Sequence, residues 1–306
     1  MILTVTLNTA LDLTYRVERL VPHSSHRVTT VTERPGGKGL NVARVLTALG
    51  HDVTVTGFVG GATGEALRAG LNGVRDALFP VLGSTRRTVA VVDSSSGDTT
   101  QLNEPGPLIT PSEWSTFLTS YETLLTSASA VALCGSLPPG VPVGAYAHLV
   151  RGARAAGVPV LLDTSGEPLR RGIAARPDIV KPNADELAEL TGSWEPLPAT
   201  RAARRRGAHA VVASLGPNGL LAATPDGTWQ ATPAAIVSGN PTGAGDSAVA
   251  ALLAGLVAGD PWPKRLASAV ALSAATVLAP VAGEFDADAY TEFEAGVSVV
   301  QHADAA

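Results

Sequence analysis

Cysteine is almost absent from this chain: among 306 residues there is one, Cys134. A lone thiol excludes an intramolecular disulfide and suggests a reducing compartment, with Cys134 a small core residue beside the strand Ala130 to Leu133. A basic excess is also missing. Lys and Arg number 22 against 27 Asp and Glu, a net charge of -5, which disfavours nucleic acid as a main partner. Arg201, Arg204, Arg205 and Arg206 read instead as one solvated helix face. There is no H-E-x-x-H, no C-x-x-C and no other tight ligand spacing among the histidines, so a structural zinc is not expected. No apolar run suits a lipid span: Ala248 to Ala258 is too short, and Leu266 to Ala282 is broken by Ser268, Ser273, Thr276 and Pro280. Met1 to Leu7 is apolar but has no basic n-region, so it reads as a first strand rather than a signal peptide. These absences describe a soluble, cytoplasmic protein with no membrane partner. At 45% hydrophobic residues it can form one large core, or one domain with an appendage.

What the chain does have is glycine in two telling turns. The first is Val237-Ser238-Gly239-Asn240-Pro241-Thr242-Gly243-Ala244-Gly245-Asp246-Ser247, which feeds a nearly continuous apolar helix ending at Gly259 and Asp260-Pro261. Such a turn can aim several N–H groups at an anion. Asp246 would be repelled by bound phosphates, so it reads either as a general base for an attacking hydroxyl or as a helix cap. GAGDSA also satisfies the loose dinucleotide pattern. Gly239-Asn240-Pro241 interrupts any strand before it, however, and that pattern should follow directly on one. The second turn, Pro35-Gly36-Gly37-Lys38-Gly39-Leu40-Asn41, opens a helix through Val42, Val45, Leu46 and Leu49. No Ser or Thr follows Lys38, so it is not a Walker A loop, yet Lys38 and Asn41 offer donors to a polyhydroxylated or phosphorylated ligand.

Between these turns strands and helices alternate. The spacing predicts strands at Val53 to Val59, Ala130 to Leu133, Val158 to Leu162, Asp178 to Val180 and Ala210 to Ala213, with helices between them. Two β-rich insertions interrupt the pattern, one of them with a hairpin around Ser94-Ser95-Ser96-Gly97. This is an α/β chain of βαβ units around a mostly parallel, doubly covered sheet. Ligands bind beyond the carboxyl ends of such strands. The segments there are Gly135-Ser136-Leu137-Pro138, Asp163-Thr164-Ser165-Gly166, Lys181-Pro182-Asn183-Ala184-Asp185-Glu186 and Ser214-Leu215-Gly216-Pro217-Asn218-Gly219. All are polar or glycine-rich, which marks an active-site rim. Gln301 to Ala306 reads as a frayed tail.

As a set, GGKGLNVARVL, LDTSG, VKPNADEL, SLGPNG and PTGAGDS resemble the ribokinase-like (PfkB) carbohydrate kinases over essentially the whole chain. TLNTALD at Thr6 to Asp12, Thr85-Arg86 and GSLPPG at Gly135 to Gly140 are similar to the phosphosugar branch. That branch includes 1-phosphofructokinase, tagatose-6-phosphate kinase and the minor 6-phosphofructokinase. The resemblance implies a single ribokinase-like domain over 1–306, a three-layer α/β/α fold with a small β-sheet lid inserted from roughly 8–34 and 78–105. It implies ATP and Mg²⁺, with Asp246 as base and the N–H groups of Gly243, Ala244 and Gly245 stabilising the transferring phosphoryl group. Asn183 and Glu186 would hold magnesium-bound phosphates through water, with Asp163 a further metal candidate. Thr242, Ser214, Gly216 and Gly219 would line the nucleotide side, with adenine against the helix Leu266 to Leu278. On the sugar side Asp12, Gly36, Gly37, Asn41 and Ser136 would bind hydroxyls, while Arg86, Lys38 and Arg27 would neutralise a phosphate on the substrate. The implied reaction converts fructose 1-phosphate to fructose 1,6-bisphosphate. Tagatose 6-phosphate comes next as acceptor, then fructose 6-phosphate or a free sugar. A homodimer through the lid is implied too. A sugar and nucleotide sensor without turnover is the alternative of a different class, although a pure binder has no need of Asp246.

Overall fold

The computed structural model describes residues 1–302. Strand β1 (Ile2–Asn8) is buried along its whole length. It leads through Thr9 into β2 (Ala10–Val17), and β3 (Thr30–Gly36) returns beside it. Then come α1 (Lys38–Ala48), β4 (Val53–Val59), α2 (Gly61–Ala69) and two short edge pieces, β5 (Arg75–Asp76) and β6 (Phe79–Pro80). A hairpin of β7 (Arg86–Asp93) and β8 (Thr99–Asn103) follows. Next is an alternating run: α3 (Pro111–Leu125), β9 (Ala130–Cys134), α4 (Ala145–Ala155), β10 (Val160–Asp163), α5 (Gly166–Ala174), β11 (Ile179–Val180), α6 (Ala184–Thr191), α7 (Pro196–Arg205) and β12 (Ala210–Ser214). The last part comprises β13 (Leu220–Thr224), β14 (Gly227–Thr232), α8 (Ala244–Ala258), α9 (Trp262–Val277), α10 (Ala287–Gly296) and β15 (Ser298–His302).

The main sheet runs β15-β14-β13-β12-β11-β10-β9-β1-β4-β5, with β6 also on β4. From β12 to β5 every pairing is parallel, while β12 to β15 pair antiparallel. Its parallel strands are apolar on both faces because helices cover both. In β9, Ala130, Ala132 and Cys134 face a core shared with α1, α8 and α9. Val131 and Leu133 face the opposite core, built with α3 to α7. The result is three layers, helix, sheet and helix. Helix boundaries follow local chemistry. Thr110 and Glu113 close a capping box ahead of α3, and Pro111 starts it where a missing N–H costs nothing.

A second sheet, ordered β3-β2-β7-β8, springs from the carboxyl end of β1. Its parts differ from the expected segments. The first extends to Gly36. The second begins at Arg86 rather than 78, because Phe79 and Pro80 are tied to the main sheet through β4 and the Phe79 ring packs edge-on to Phe58 and Phe117. Two other expectations change. Gln301 and His302 are no tail but pair with Trp229 and Thr228 in β15, while 303–306 lie outside the described residues. The arginines of α7 are not all solvated: Arg201 Nε donates to Thr228 Oγ1 at 3.2 Å and Arg204 Nε to His209 O at 2.8 Å.

Candidate active site

Both glycine turns open helices in the same way. Gly37 (φ 110°) precedes α1 and Gly243 (φ 89°) precedes α8, a left-handed backbone that side chains resist. Helix α8 is apolar nearly all round and packs against α1 and α9. Its first turn is thereby fixed from inside, with Ser247 Oγ 2.6 Å from Thr276 Oγ1 and Ser273 Oγ donating to Ala244 O at 2.9 Å. Asp246 sits in that first turn, buried, and makes no side-chain cap at Gly243. Its Oδ2 instead accepts from Asn41 Nδ2 of α1 at 2.8 Å. Burial, with the Asp163 charge in support, lifts the Asp246 carboxyl from 3.8 to about 6, against the pull of Lys38, the Asn41 hydrogen bond and Lys181. Ala244 N–H turns back to Pro241 O at 3.2 Å. The N–H groups of Gly243 and Gly245 meet no protein acceptor among the described residues, so they, rather than Ala244, are free for an anion.

Next to Asp246 lies a knot of charges drawn from four elements. Asp163, at the end of β10 and 1% exposed, accepts from Lys38 Nζ at 3.1 Å, and Lys181 Nζ lies 3.7 Å from its other oxygen. Lys181, just past β11, is itself buried, and its Nζ lies 3.6 Å from where a Cβ on Gly245 would stand. The knot thus lies directly under the first turn of α8. The Lys38 ammonium is held above its usual range by Asp163, Asp246 and Glu186, which together outweigh its burial.

These contacts redistribute several expected roles. Asp163, its carboxylate between two ammonium groups, is a poor metal ligand. Lys38 Nζ is paired with Asp163, on the side of the knot toward Asp246. Arg27 is not brought to the site: it is exposed in the loop joining β2 to β3, beyond the Arg16–Thr30 pair at the outer end of the small sheet. The sequence assigns Lys181 no role, because its value depends on contacts across the sheet; a lysine at a strand's carboxyl end is the one local signal.

Asn183 and Glu186 form a reciprocal capping box on α6, Glu186 N to Asn183 Oδ1 at 2.8 Å and Asn183 N to Glu186 Oε2 at 2.9 Å. Glu186 Oε1 meets no donor among the described residues. One free carboxylate oxygen suits a magnesium ion that keeps its waters and takes its other ligands from phosphates. No cluster of three metal-ligating side chains exists among the described residues. Ser214 bridges to Asn183 at the end of β12, and beyond it Gly216 opens the short turn Gly216–Asn218 and Gly219 closes it. Thr242 N–H donates to Asn240 Oδ1 at 3.1 Å, shaping the loop before Gly243.

The face of the small sheet carrying Asp12, Thr14, Arg16, Thr88 and Gln101 looks into a cavity of about 1160 Å³. The loop Gly239–Thr242 and residues Pro280 to Ala282 close its other side. Burial, eased by the Thr88 hydroxyl and the charges of Arg44 and Arg86, raises Asp12 from 3.8 to about 6. Gly36 is needed here, since a Cβ would stand 2.1 Å from the Asp12 carboxyl group. At the root of the same sheet, Arg86 donates to Asn8 O (3.3 Å) and Glu104 O (3.1 Å). It lines a groove of about 560 Å³ with Ser136, whose Oγ accepts from Asn8 Nδ2 at 3.1 Å.

The whole arrangement offers a buried base, an anion-binding helix start, two ammonium groups and a cavity edged with hydroxyls, carboxylates and guanidinium groups. It suits the deprotonation of an alcohol beside a phosphoryl group.

Residues 3–288 match the family described as pfkB family carbohydrate kinase. Among solved structures, phosphofructokinase-2 from Escherichia coli in complex with fructose-6-phosphate is 29% identical, with a TM-score of 0.87 over 96% of this chain and 98% of that one. A tetrameric inhibited form of the same enzyme matches equally well, at a TM-score of 0.87. A possible 1-phosphofructokinase from Thermotoga maritima is 26% identical, with a TM-score of 0.86 over 99% of this chain and all of the other. Ribokinase from Arabidopsis thaliana, 21% identical with a TM-score of 0.71, shares the fold.

Proposed function

This chain belongs to the pfkB family of carbohydrate kinases, and from that premise we propose that it moves the γ-phosphoryl group of ATP to a hydroxyl of a ketohexose phosphate, with fructose 1-phosphate the acceptor and fructose 1,6-bisphosphate the product. The observation that carries the chemistry is the buried Asp246, held by Asn41 and lifted to about 6, at the start of α8. At neutral pH it is ionised yet basic enough to accept the acceptor hydroxyl's proton as the O–P bond forms. The free N–H groups of Gly243 and Gly245, with Lys38 and Lys181 close by, meet the charge on the transferring group. Magnesium, when bound, neutralises the nucleotide's phosphates; Glu186 Oε1 would hold its waters. On the acceptor side Asp12, Gly37 and Asn41 bind hydroxyls, and Arg86 beside Ser136 takes the phosphate already on the sugar.

Fructose 1-phosphate ranks ahead of fructose 6-phosphate because Lys38 stands where the minor 6-phosphofructokinases have glycine. Tagatose 6-phosphate is the second reading, favoured by Asn240-Pro241 ahead of the glycine turn. We place the enzyme in the cytoplasm as a homodimer joined through the small sheet. Exposed Val31 and Leu102, in register with Tyr15 and Val89 on the sheet face away from the cavity, support such a contact. No helix among the described residues is long and apolar enough to cross a membrane.

The test is ADP release from Mg-ATP with fructose 1-phosphate, tagatose 6-phosphate, fructose 6-phosphate, free fructose, free tagatose and ribose, compared by kcat/KM. Each tenfold preference measures about 1.4 kcal/mol of differential transition-state binding. A phosphorylated ketose should lead; a leading free sugar would remove the phosphate-binding role of Arg86.

A further inference from the structure

One half-buried arginine, Arg44, has been given no role in the chemistry. Arg44 lies on α1 one turn beyond Asn41. Its Nη1 donates to Asn41 Oδ1 at 3.0 Å and its Nη2 to the Pro35 carbonyl of β3. Room for it comes from Gly283 (φ 80°), where a Cβ would stand 3.1 Å from Nη1. Asp12 and Glu284 attract the guanidinium; burial and Arg34, itself paired with Glu284, act against its charge.

The Asn41 amide therefore stands between two groups of opposite demands. A guanidinium can only donate hydrogen bonds and an ionised carboxylate can only accept them. The amide oxygen must face Arg44 and the amide NH₂ must face Asp246, as observed at 3.0 and 2.8 Å. Either neighbour alone favours that orientation; together they exclude the flipped one. We infer that Arg44 is a positioning residue for phosphoryl transfer: by fixing the Asn41 amide it keeps an N–H donor on Asp246 Oδ2 and leaves Oδ1 to the acceptor hydroxyl. The inference depends on Asp246 being the base. The other charged or titratable groups facing Asp246 are Lys38 from α1, Asp163 from β10, Lys181 after β11 and the neutral Cys134 thiol from β9. None of them touches the Asn41 oxygen.

Arg44 also lines the large cavity, so direct contact with the sugar phosphate is the competing role. A double-mutant cycle separates the two. Arg44→Met, Asn41→Ala and the double variant are assayed with Mg-ATP and the preferred acceptor over pH 5–9, with melting curves to establish folding. Arg44→Met should lower kcat roughly tenfold, the scale of one hydrogen bond in the transition state, with KM for ATP unchanged. It should also move the acid limb of kcat upward, because a flipped amide oxygen favours the protonated carboxyl. On the Asn41→Ala background the same change should cost nothing further. Arg44→Lys, which keeps a donor for Asn41 Oδ1, should recover most of the turnover, and it serves as the test if Arg44→Met does not fold. Full additivity in the double variant would overturn the inference. So would a rise in acceptor KM with kcat and the acid limb unmoved, or an Arg44→Lys variant no better than Arg44→Met. A wild-type enzyme with no acid limb would refute the base assignment itself, and the inference with it.

Discussion

Replacing Asp246 with Asn tests two consequences of one burial. The substitution keeps the shape of the side chain, and its oxygen can still accept from Asn41, but it cannot take a proton. General-base catalysis is worth about 10²–10⁴-fold. No neighbour can stand in, because Asp163 is held between Lys38 and Lys181, so a loss of about 10³-fold or more in kcat is expected, roughly 4 kcal/mol on the barrier. Binding of ATP should not weaken, since a negative charge leaves the phosphate side. Stability should move the other way. The Asp246 carboxyl titrates at about 6 in the fold against 3.8 in its absence, so the fold disfavours its charge. That cost is absent below pH 3.8, grows as pH rises and is complete above about pH 6. It amounts to something on the order of 2–3 kcal/mol. The Asn variant should therefore melt several degrees higher than wild type at pH 8, with the gap narrowing toward pH 5. Coupled ADP-release kinetics, calorimetric titration with a non-hydrolysable ATP analogue and melting curves at the two pH values measure all three. A kcat within tenfold of wild type would remove Asp246 as the base. A variant less stable than wild type at pH 8 would refute the burial reasoning.

Gly36→Ala pushes a methyl group into the Asp12 carboxyl group; it should raise acceptor KM at least about tenfold, the scale of one misplaced hydrogen bond, with ATP KM unchanged, and equal effects on both substrates would refute the placement of Asp12. Arg86→Ala should raise KM about 10–100-fold for a phosphorylated acceptor, the worth of one charge-assisted contact, and hardly at all for a free sugar. Lys181→Met strips Asp163 of one of its two cations, so it should cost about 3 kcal/mol of unfolding free energy and weaken ATP binding; an unchanged denaturation midpoint would show that the pair contributes nothing.

How much was legible in the sequence follows the range of the forces involved. Strands such as Val53–Val59 and helices such as Pro111–Leu125 declare themselves through apolar runs, turn residues and caps, all local signals. The two glycine turns, and Asp246 and Asn41 as polar residues within their helix starts, are local too. The pairing of Asn41 with Asp246 is not, since 205 residues separate them. Lys181 and Arg44 acquire meaning only when β10, α1 and α8 converge, and the same convergence pairs Lys38 with Asp163. Arg27 lies away from the site of its own chain because a resemblance carries residue types but not the reach of a hairpin. Gln301 and His302 read as part of a tail because their segment pairs with a strand some 70 residues earlier, and no local pattern records that.

The central place of β1 bears on how the chain comes to be folded at all. Its seven buried residues need β4 on one side and β9, beginning at Ala130, on the other. At about 5–20 residues per second of synthesis, the first strand waits on the order of ten seconds for its second neighbour, with one backbone edge unpaired. Refolding of the complete chain, which must close the same long-range parallel pairing, should be slow and sensitive to protein concentration, and a chaperone that holds the amino-terminal segment should raise the yield more than one acting after the sheet has closed.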